Sequence, residues 1–203
     1  MHRRHLHELL TRYAQAWPEP HEQALAKRFS AFAASHDDCL QRSCLVGHIT
    51  ASCWIVAPDR QHVLLTHHRK LQRWLQLGGH VDGEAEIELA ALREAQEESG
   101  MQQFEFVRWA GAALVPLDLD VHPIPARGAE PRHEHWDVRF LLQVPFAQPL
   151  VLSEESNELR WLPVDELTAL TDEDSVLRLA RKAAQLGAHP PLSAGSPPPA
   201  AGG

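Results

Sequence analysis

Three carboxylates, Glu94, Glu97 and Glu98, crowd into the stretch REAQEESGM, and a glycine ends it at position 100. At helical spacing these are i, i+3 and i+4, so their side chains leave one narrow arc with Cβ atoms about 5–6 Å apart. Like charges at that spacing cost about 0.2–0.5 kcal/mol per pair on an exposed helix. In isolation such a run describes a solvated acidic face. The surroundings point elsewhere. Arg93 can pair with one acid and hold its rotamer, Ile87, Ala91, Leu92 and Ala95 form an apolar opposite face, and LGGH (77 to 80) offers glycine backbone that comes close to a ligand. Carboxylates on one rigid face beside bare backbone can hold a hard cation through oxygen, as Mg²⁺ is held by a few carboxylates, water and phosphate.

Residues 79 to 101, GHVDGEAEIELAALREAQEESGM, resemble the Nudix box, G-x5-E-x7-R-E-U-x-E-E-x-G-U with U apolar. Gly79, Arg93, Glu94, Ala95, Glu97, Glu98, Gly100 and Met101 fall in register. At average residue usage six fixed letters recur by chance on the order of 10⁻⁷ per start position. One letter departs: the first box glutamate falls on Ala85, with Glu84 as its neighbour and candidate substitute. The resemblance covers about residues 47 to 180. It implies hydrolysis of a phosphoanhydride in a nucleoside diphosphate linked to another moiety, with Mg²⁺ or Mn²⁺ as cofactor. It also implies a catalytic set of Arg93, Glu94, Glu97 and Glu98. Glu97 and Glu98 are then the leading metal ligands, and the Gly79 carbonyl adds an oxygen. Glu94 ligates metal or orients water, and Arg93 is an orienting ion pair. The family often draws one more acid from a late loop. LSEESNELRW offers Glu154, Glu155 and Glu158, with Glu155 preferred as a metal ligand and Glu158 next.

The substrate-side expectations are Arg69 and Lys70 gripping phosphate, Arg as a fork and Lys as a point charge. His80 is expected to face the pocket, and Trp74 to stack on a base against the alternative of ordinary packing. His67, His68, His133 and His135 are read as a group that could gather near the glycine loop. With no H-E-x-x-H or C-x-x-C frame, hydrogen-bonded or surface histidine is the preferred account. Cys39, Cys44 and His48 have no ligand spacing and read as core or surface residues.

The elements that must position these groups follow from periodicity. Leu6, Leu9, Leu10 and Tyr13 repeat as on an amphipathic helix, ended by Pro18 and Pro20, and Ala24, Leu25, Phe29, Phe32 and Ala33 begin a second. ITASCWIVA and HVLLTHH, split by PDRQ, read as a hairpin. RKLQRWLQLGGHVDG reads as loop. Residues 85 to 98 read as helix, with Asp82 or Gly83 as N-cap and Gly100 at C′. FEFVRWAGAALVPL, HWDVRFLLQVPF and ELRWLPV read as strands, 118 to 132 as a long Pro-rich loop bordering the pocket, and DELTAL and DSVLRLARKAAQL as helices. The expected class is α/β, a mixed sheet with helices on both faces, and the resemblance makes it a Nudix-like α/β/α sandwich. The expected domains are a helical extension at 1–45 packed on the rest, the Nudix domain at 46–187, and a disordered Pro/Ala/Gly tail at 188–203.

The chain of 203 residues has 44% hydrophobic and 23% charged residues and a formal net charge of −8, a composition for a globular domain but not for a DNA-coating protein. DNA binding is not expected, and no 18-residue apolar run suggests a membrane span. Three cysteines without pairing pattern and no secretory h-region suggest a reducing, cytoplasmic setting. The expected partner is a small nucleotide-type molecule, and a homodimer is among the expected assemblies. Two rival readings stand beside the hydrolase: a non-catalytic sensor of a nucleotide metabolite, which Ala85 favours, and an isoprenyl diphosphate isomerase, which would need a pocket cysteine such as Cys53.

Overall fold

The computed structural model describes residues 3–128, 130–154, 156–190 and 192. The expected late acid Glu155 and most of the expected tail lie outside these residues.

Two helices lead, α1 (Arg4–Ala16) and α2 (Pro20–Ser35). The apolar repeat of α1 is the buried face: Leu6, Leu9, Leu10 and Tyr13 are all essentially inaccessible. Full burial of such side chains is worth about 1.5–3 kcal/mol each, so α1 is held by packing rather than by helix propensity. Strands β1 (Gly47–Val56) and β2 (His62–His68) form the expected hairpin around a turn at 57–61.

The stretch read as loop after β2 instead contributes two short strands, β3 (Arg73–Leu75) and β4 (Leu77–His80). Their few residues carry no period of their own. They form because β1 and β2 leave free edges. The first half of β1 pairs with β4, from Thr50↔His80 to Cys53↔Leu77, and its end pairs with β2, at Ile55↔Leu64 and Val56↔Val63. Beyond that point β2 pairs with β3. The sheet therefore forks beside the glycines of β4.

Helix α3 (Ile87–Ser99) follows. Its N-cap is Glu86 rather than Asp82 or Gly83. Asp82 is instead held in a left-handed turn, with φ of 49°, by a two-pronged bond from Arg42 at 2.6 Å. The C-terminal end is as the sequence requires: Gly100 takes φ of 73°, a conformation that strains residues with a Cβ. The face of α3 toward the sheet is small, with Ala90, Ala91 and Ala95 buried, so the helix comes close enough for the Cys53 thiol to donate to the Ala91 carbonyl at 3.3 Å.

Of the stretch 104 to 117 only β5 (Glu105–Phe106) is strand, and the rest is irregular. The expected loop 118 to 132 begins as a regular strand, β6 (Asp118–Ile124). All seven of its residues pair with β7 (His133–Gln143), Asp118 opposite Arg139 and Ile124 opposite His133. Its alternation of polar side chains hides the strand, because the sheet face it joins is itself polar. Strand β7 runs parallel to β1 along the full length of β1, and the other pairings are antiparallel, so the sheet is mixed. Strand β8 (Ser156–Pro163) pairs with β2, and a 3-10 turn, α4 (Leu167–Leu170) and α5 (Asp174–Gln185) complete the order. Ala188 and His189 remain buried, with Trp54 Nε1 donating to His189 Nε2 at 3.2 Å, so ordered structure passes the expected boundary at 187.

The two faces of the sheet carry different chemistry. Ile49, Ala51 and Cys53 of β1 share one face with Trp136, Val138 and Phe140 of β7. Here α3 packs, and Phe32 of α2 stacks on Trp136 at 4.3 Å. The other face carries His48, Thr50, Ser52, His135, Asp137 and Arg139. Arg139 is fully buried there, bonded to Asp137 at 2.8 Å and Asp118 at 3.3 Å, and it donates to the Ser175 carbonyl of α5. Lys182 of α5 bonds Asp118 at 2.8 Å, Glu22 at 2.6 Å and the Tyr13 hydroxyl at 2.7 Å, tying the leading helices to the rest.

Candidate metal and hydrolytic site

The acids of α3 converge on the backbone of β4. Glu98 is buried, and its Oε2 accepts the Gly78 N–H at 3.1 Å. Glu94 lies directly over Gly79, where a Cβ would stand 2.5 Å from its Oε2. The glycine is required because the carboxylate occupies the side-chain volume. Glu97, one turn on from Arg93, is 62% exposed.

Arg93 fixes this arrangement. One nitrogen, Nη1, donates to Glu94 Oε1 at 2.7 Å and reaches Glu97 Oε2 at 3.4 Å, while Nη2 donates to the His80 carbonyl at 2.8 Å. A single guanidinium thus spans two acids of the helix and the strand they face. Burial lowers its pKa, but the charges of Glu94 and Glu97 outweigh that and raise it above the usual value, so it stays charged.

The segment that carries the late acids is anchored at both ends of its approach. Val151 N–H donates to the Ser99 carbonyl at 2.8 Å, and Val151 packs where a Gly100 side chain would be. Arg69 Nη2 then donates to the Ser156 carbonyl at 3.3 Å. Val151 therefore lies at the C-terminal end of α3, and Ser156 lies beside the turn after β2. Glu154 is exposed, and Glu158 is half exposed with Arg160 at 3.4 Å.

Arg69 and Lys70 sit exposed on that same turn. Trp74 is half-buried on β3, flanked by the His67 ring at 5.3 Å and by the Arg160 guanidinium at 4.8 Å. Glu84 is exposed in the turn before α3, with its N–H donated to the Val81 carbonyl, and Ala85 stands beside it.

The histidines regroup. His67 and His68 belong to the far end of β2 and do not join His133 and His135. Those two meet His48 and His80 instead. The His48 ring lies 5.0 Å from both His80 and His133 and 4.9 Å from His135, and His122 of β6 closes on His135 at 5.5 Å. His48, expected as a core or surface residue without ligand spacing, is a buried member of this group, and His122 carried no expectation. The legible signal was H-x-H at 133 and 135, which puts two imidazoles on one face of a strand. Burial, then the nearby Arg42, lowers His80 to about 4, and burial, then His80, lowers His135 to about 2. His48 is shifted down by burial and His133. These rings are neutral near pH 7. Gly79 points its missing side chain at Glu94, so its neighbour His80 points to the opposite face of the sheet. The acids and the histidines are therefore back to back across β4.

The family model for the NUDIX domain matches residues 47–181. A crystal structure of an Ap4A hydrolase from C. elegans in a binary complex is similar at 19% identity with a TM-score of 0.54, covering 69% of this chain and 97% of that one. A NUDIX-family hydrolase from Clostridium perfringens is similar at 24% identity and 0.53, covering 69% and 96%. RenU, a Nudix hydrolase from M. smegmatis, is similar at 21% identity and 0.52, covering 72% and 89%. At these identities the likeness is one of fold. No curated protein matches the chain in sequence.

Proposed function

The chain belongs to the Nudix family of pyrophosphohydrolases, and we propose that it cleaves, with Mg²⁺ or Mn²⁺, the phosphoanhydride of a nucleoside diphosphate linked to another moiety. One observation carries this reading: Glu94 and Glu98 converge from one rigid helix on the backbone of Gly78 and Gly79, with no Cβ between. Such an oxygen-rich cradle fits a hard divalent ion. When bound, the ion neutralises pyrophosphate oxygens, orients the attack and lowers the pKa of water.

The chain's own groups do the rest. Glu97 and Glu98 hold the ion with the Gly79 carbonyl, joined by an acid of the late segment, Glu155 or Glu158. Glu94 ligates or receives the proton of the attacking water as the new P–O bond forms and the bridging P–O bond breaks. Arg93 keeps Glu94 in place and does not touch the reacting atoms. Arg69 and Lys70 bind phosphate oxygens, where the fork and the point charge add to the neutralisation. Trp74 contacts the substrate beyond the phosphates, whereas the His80 side chain, expected to face the pocket, lies on the opposite face of the sheet among the histidines. Catalysis of this kind is mostly positioning and electrostatics, which suits a site built on a helix and a strand rather than on a mobile loop.

A second reading, a sensor that binds a nucleotide metabolite without turnover, draws on Ala85 at the first box position. The two separate in one experiment. A panel of nucleoside triphosphates, ADP-ribose-like compounds, dinucleoside polyphosphates and sugar nucleotides is incubated with Mg²⁺ or Mn²⁺, and nucleotide or phosphate release is followed. Hydrolysis of one class supports the enzyme. Tight binding of one compound with hydrolysis of none would make the protein a sensor.

A further inference from the structure

On the sheet face away from the acids, three imidazoles point their nitrogens at one another. His48 of β1 and His133 and His135 of β7 each offer a ring nitrogen, and these atoms all lie within 4.8 Å of one another. His48 and His133 are only 2% and 5% exposed. Nε2 of His133, Nε2 of His135 and both ring nitrogens of His48 are buried without a hydrogen-bond partner. A buried polar atom left without a partner costs about 1–3 kcal/mol, so four in one small volume is an arrangement that calls for a ligand.

The His133 tautomer is the one a metal needs. His133 donates its Nδ1 proton to the Pro131 carbonyl at 2.9 Å, which leaves Nε2 as a bare lone pair turned into the cluster. This is the usual outer partner of a metal-bound histidine. Rising cationic charge is also provided for. Glu130 Oε1 lies 3.9 Å from His133 Nε2, and the Arg42 charge nearby is already neutralised by Asp82. A tetrahedral ion with bonds of about 2.0–2.1 Å sets its nitrogens about 3.3 Å apart, within a modest closure of the observed spacing.

We propose that His48, His133 and His135 form a site for a divalent transition-metal ion of the zinc class, separate from the carboxylate site of α3. Imidazole ligands favour such ions over Mg²⁺ and Mn²⁺, which the oxygen ligands of α3 prefer. The ion ties the first residues of β1 to those of β7. Glu130 or a water takes the remaining position. His80 and His122 wall the site without ligating.

The test uses full-length, tag-free protein stripped with chelator and titrated with Co²⁺ in excess Mg²⁺, which occupies the oxygen site. Expected are one equivalent bound per chain, an intense visible absorption of tetrahedral character, displacement by one equivalent of Zn²⁺, and a raised Tm. His48→Gln and His135→Gln each weaken the binding at least about a hundredfold, in line with removal of one ligand. His62→Gln, a surface control, and Glu98→Gln leave it unchanged. Absence of a tight, tetrahedral Co²⁺ equivalent in the unmodified protein would overturn the proposal whatever the variants do, and would leave a water-filled histidine cavity. Retention of the equivalent in folded His48→Gln and His135→Gln would overturn it as well. Neither result touches the phosphoanhydride activity, which is read separately with Glu98→Gln.

Discussion

Replacing Gly79 by alanine is a small change with a large expected effect. The new Cβ would lie 2.5 Å from Glu94 Oε2, 2.6 Å from Cδ and 2.9 Å from Oε1. Carbon and oxygen in ordinary contact stand about 3.5 Å apart, so the carboxylate must retreat by about 1 Å. It cannot retreat alone, because Arg93 grips it at 2.7 Å and is itself held by the His80 carbonyl at 2.8 Å. A misplacement of about 1 Å in a positioned catalytic group costs about a hundredfold in rate, or about 2.7 kcal/mol of transition-state stabilisation. The clash is with the end of a flexible side chain, so the fold absorbs it with a Tm change of a few degrees at most.

The matched control is Gly78→Ala. There the Cβ would meet Ser52 Cα at 2.5 Å and the Ala51 carbonyl oxygen at 2.6 Å, atoms of the β1 backbone that cannot turn aside. That variant should lose stability outright, by about 1–3 kcal/mol or more. The assay is kcat and KM on the best substrate of the panel, beside thermal unfolding. Gly79→Ala with wild-type kcat would refute the claim that Glu94 works from over that glycine.

Three further perturbations probe the frame around the site. Arg139→Met strips the buried guanidinium from Asp118, Asp120 and Asp137 and should cost about 3–5 kcal/mol in urea unfolding, because three buried carboxylates lose the cation they share and Asp137 is left with the Thr50 and Ser52 hydroxyls. Asp120 gives a pH signature: burial raises its pKa, but the His122 hydrogen bond and the charges of Arg139 and Arg178 outweigh this and hold it well below the usual carboxylate range. Its contribution is thus complete above the unfolded value of about 3.9 and is lost as pH falls toward the folded value, so Asp120→Asn should flatten the acid limb of stability against pH. Removing residues 3–35 takes away the buried Tyr13, Phe29 and Phe32 and the Glu22 partner of Lys182. The shortened chain should unfold well below the full one or fail to stay monodisperse, and an unchanged Tm would mean that the leading helices are an accessory.

The sequence showed the arrangement of the α3 side chains better than the frame that holds them. Arg93, Glu94, Glu97 and Glu98 were legible because helical spacing alone places them on one arc, and Gly100 because only a residue without Cβ takes that φ easily. The parallel pairing of β1 with β7 was beyond reach, since it joins residues some ninety apart and leaves no local period. Strand β6 does not read as a strand because its polar alternation serves a polar face, with Asp118 and Asp120 directed at the buried Arg139. Strands β3 and β4 were missed because three or four residues carry no pattern and exist only through their neighbours' edges. His48 escaped for the same reason: its partners His133 and His135 come from the parallel neighbour, and no spacing in the chain connects them.

The central claim is that the α3 carboxylates hold a hard divalent ion for pyrophosphate cleavage, and Glu98→Gln tests it most directly. Mn²⁺ binding by calorimetry, hydrolysis and Tm are measured on the variant and the parent together. Glutamine keeps an oxygen for the Gly78 N–H but loses the charge. The account predicts near-complete loss of hydrolysis, Mn²⁺ affinity weakened by at least about tenfold, and an almost unchanged Tm. Parent-like Mn²⁺ binding and turnover in Glu98→Gln would contradict it.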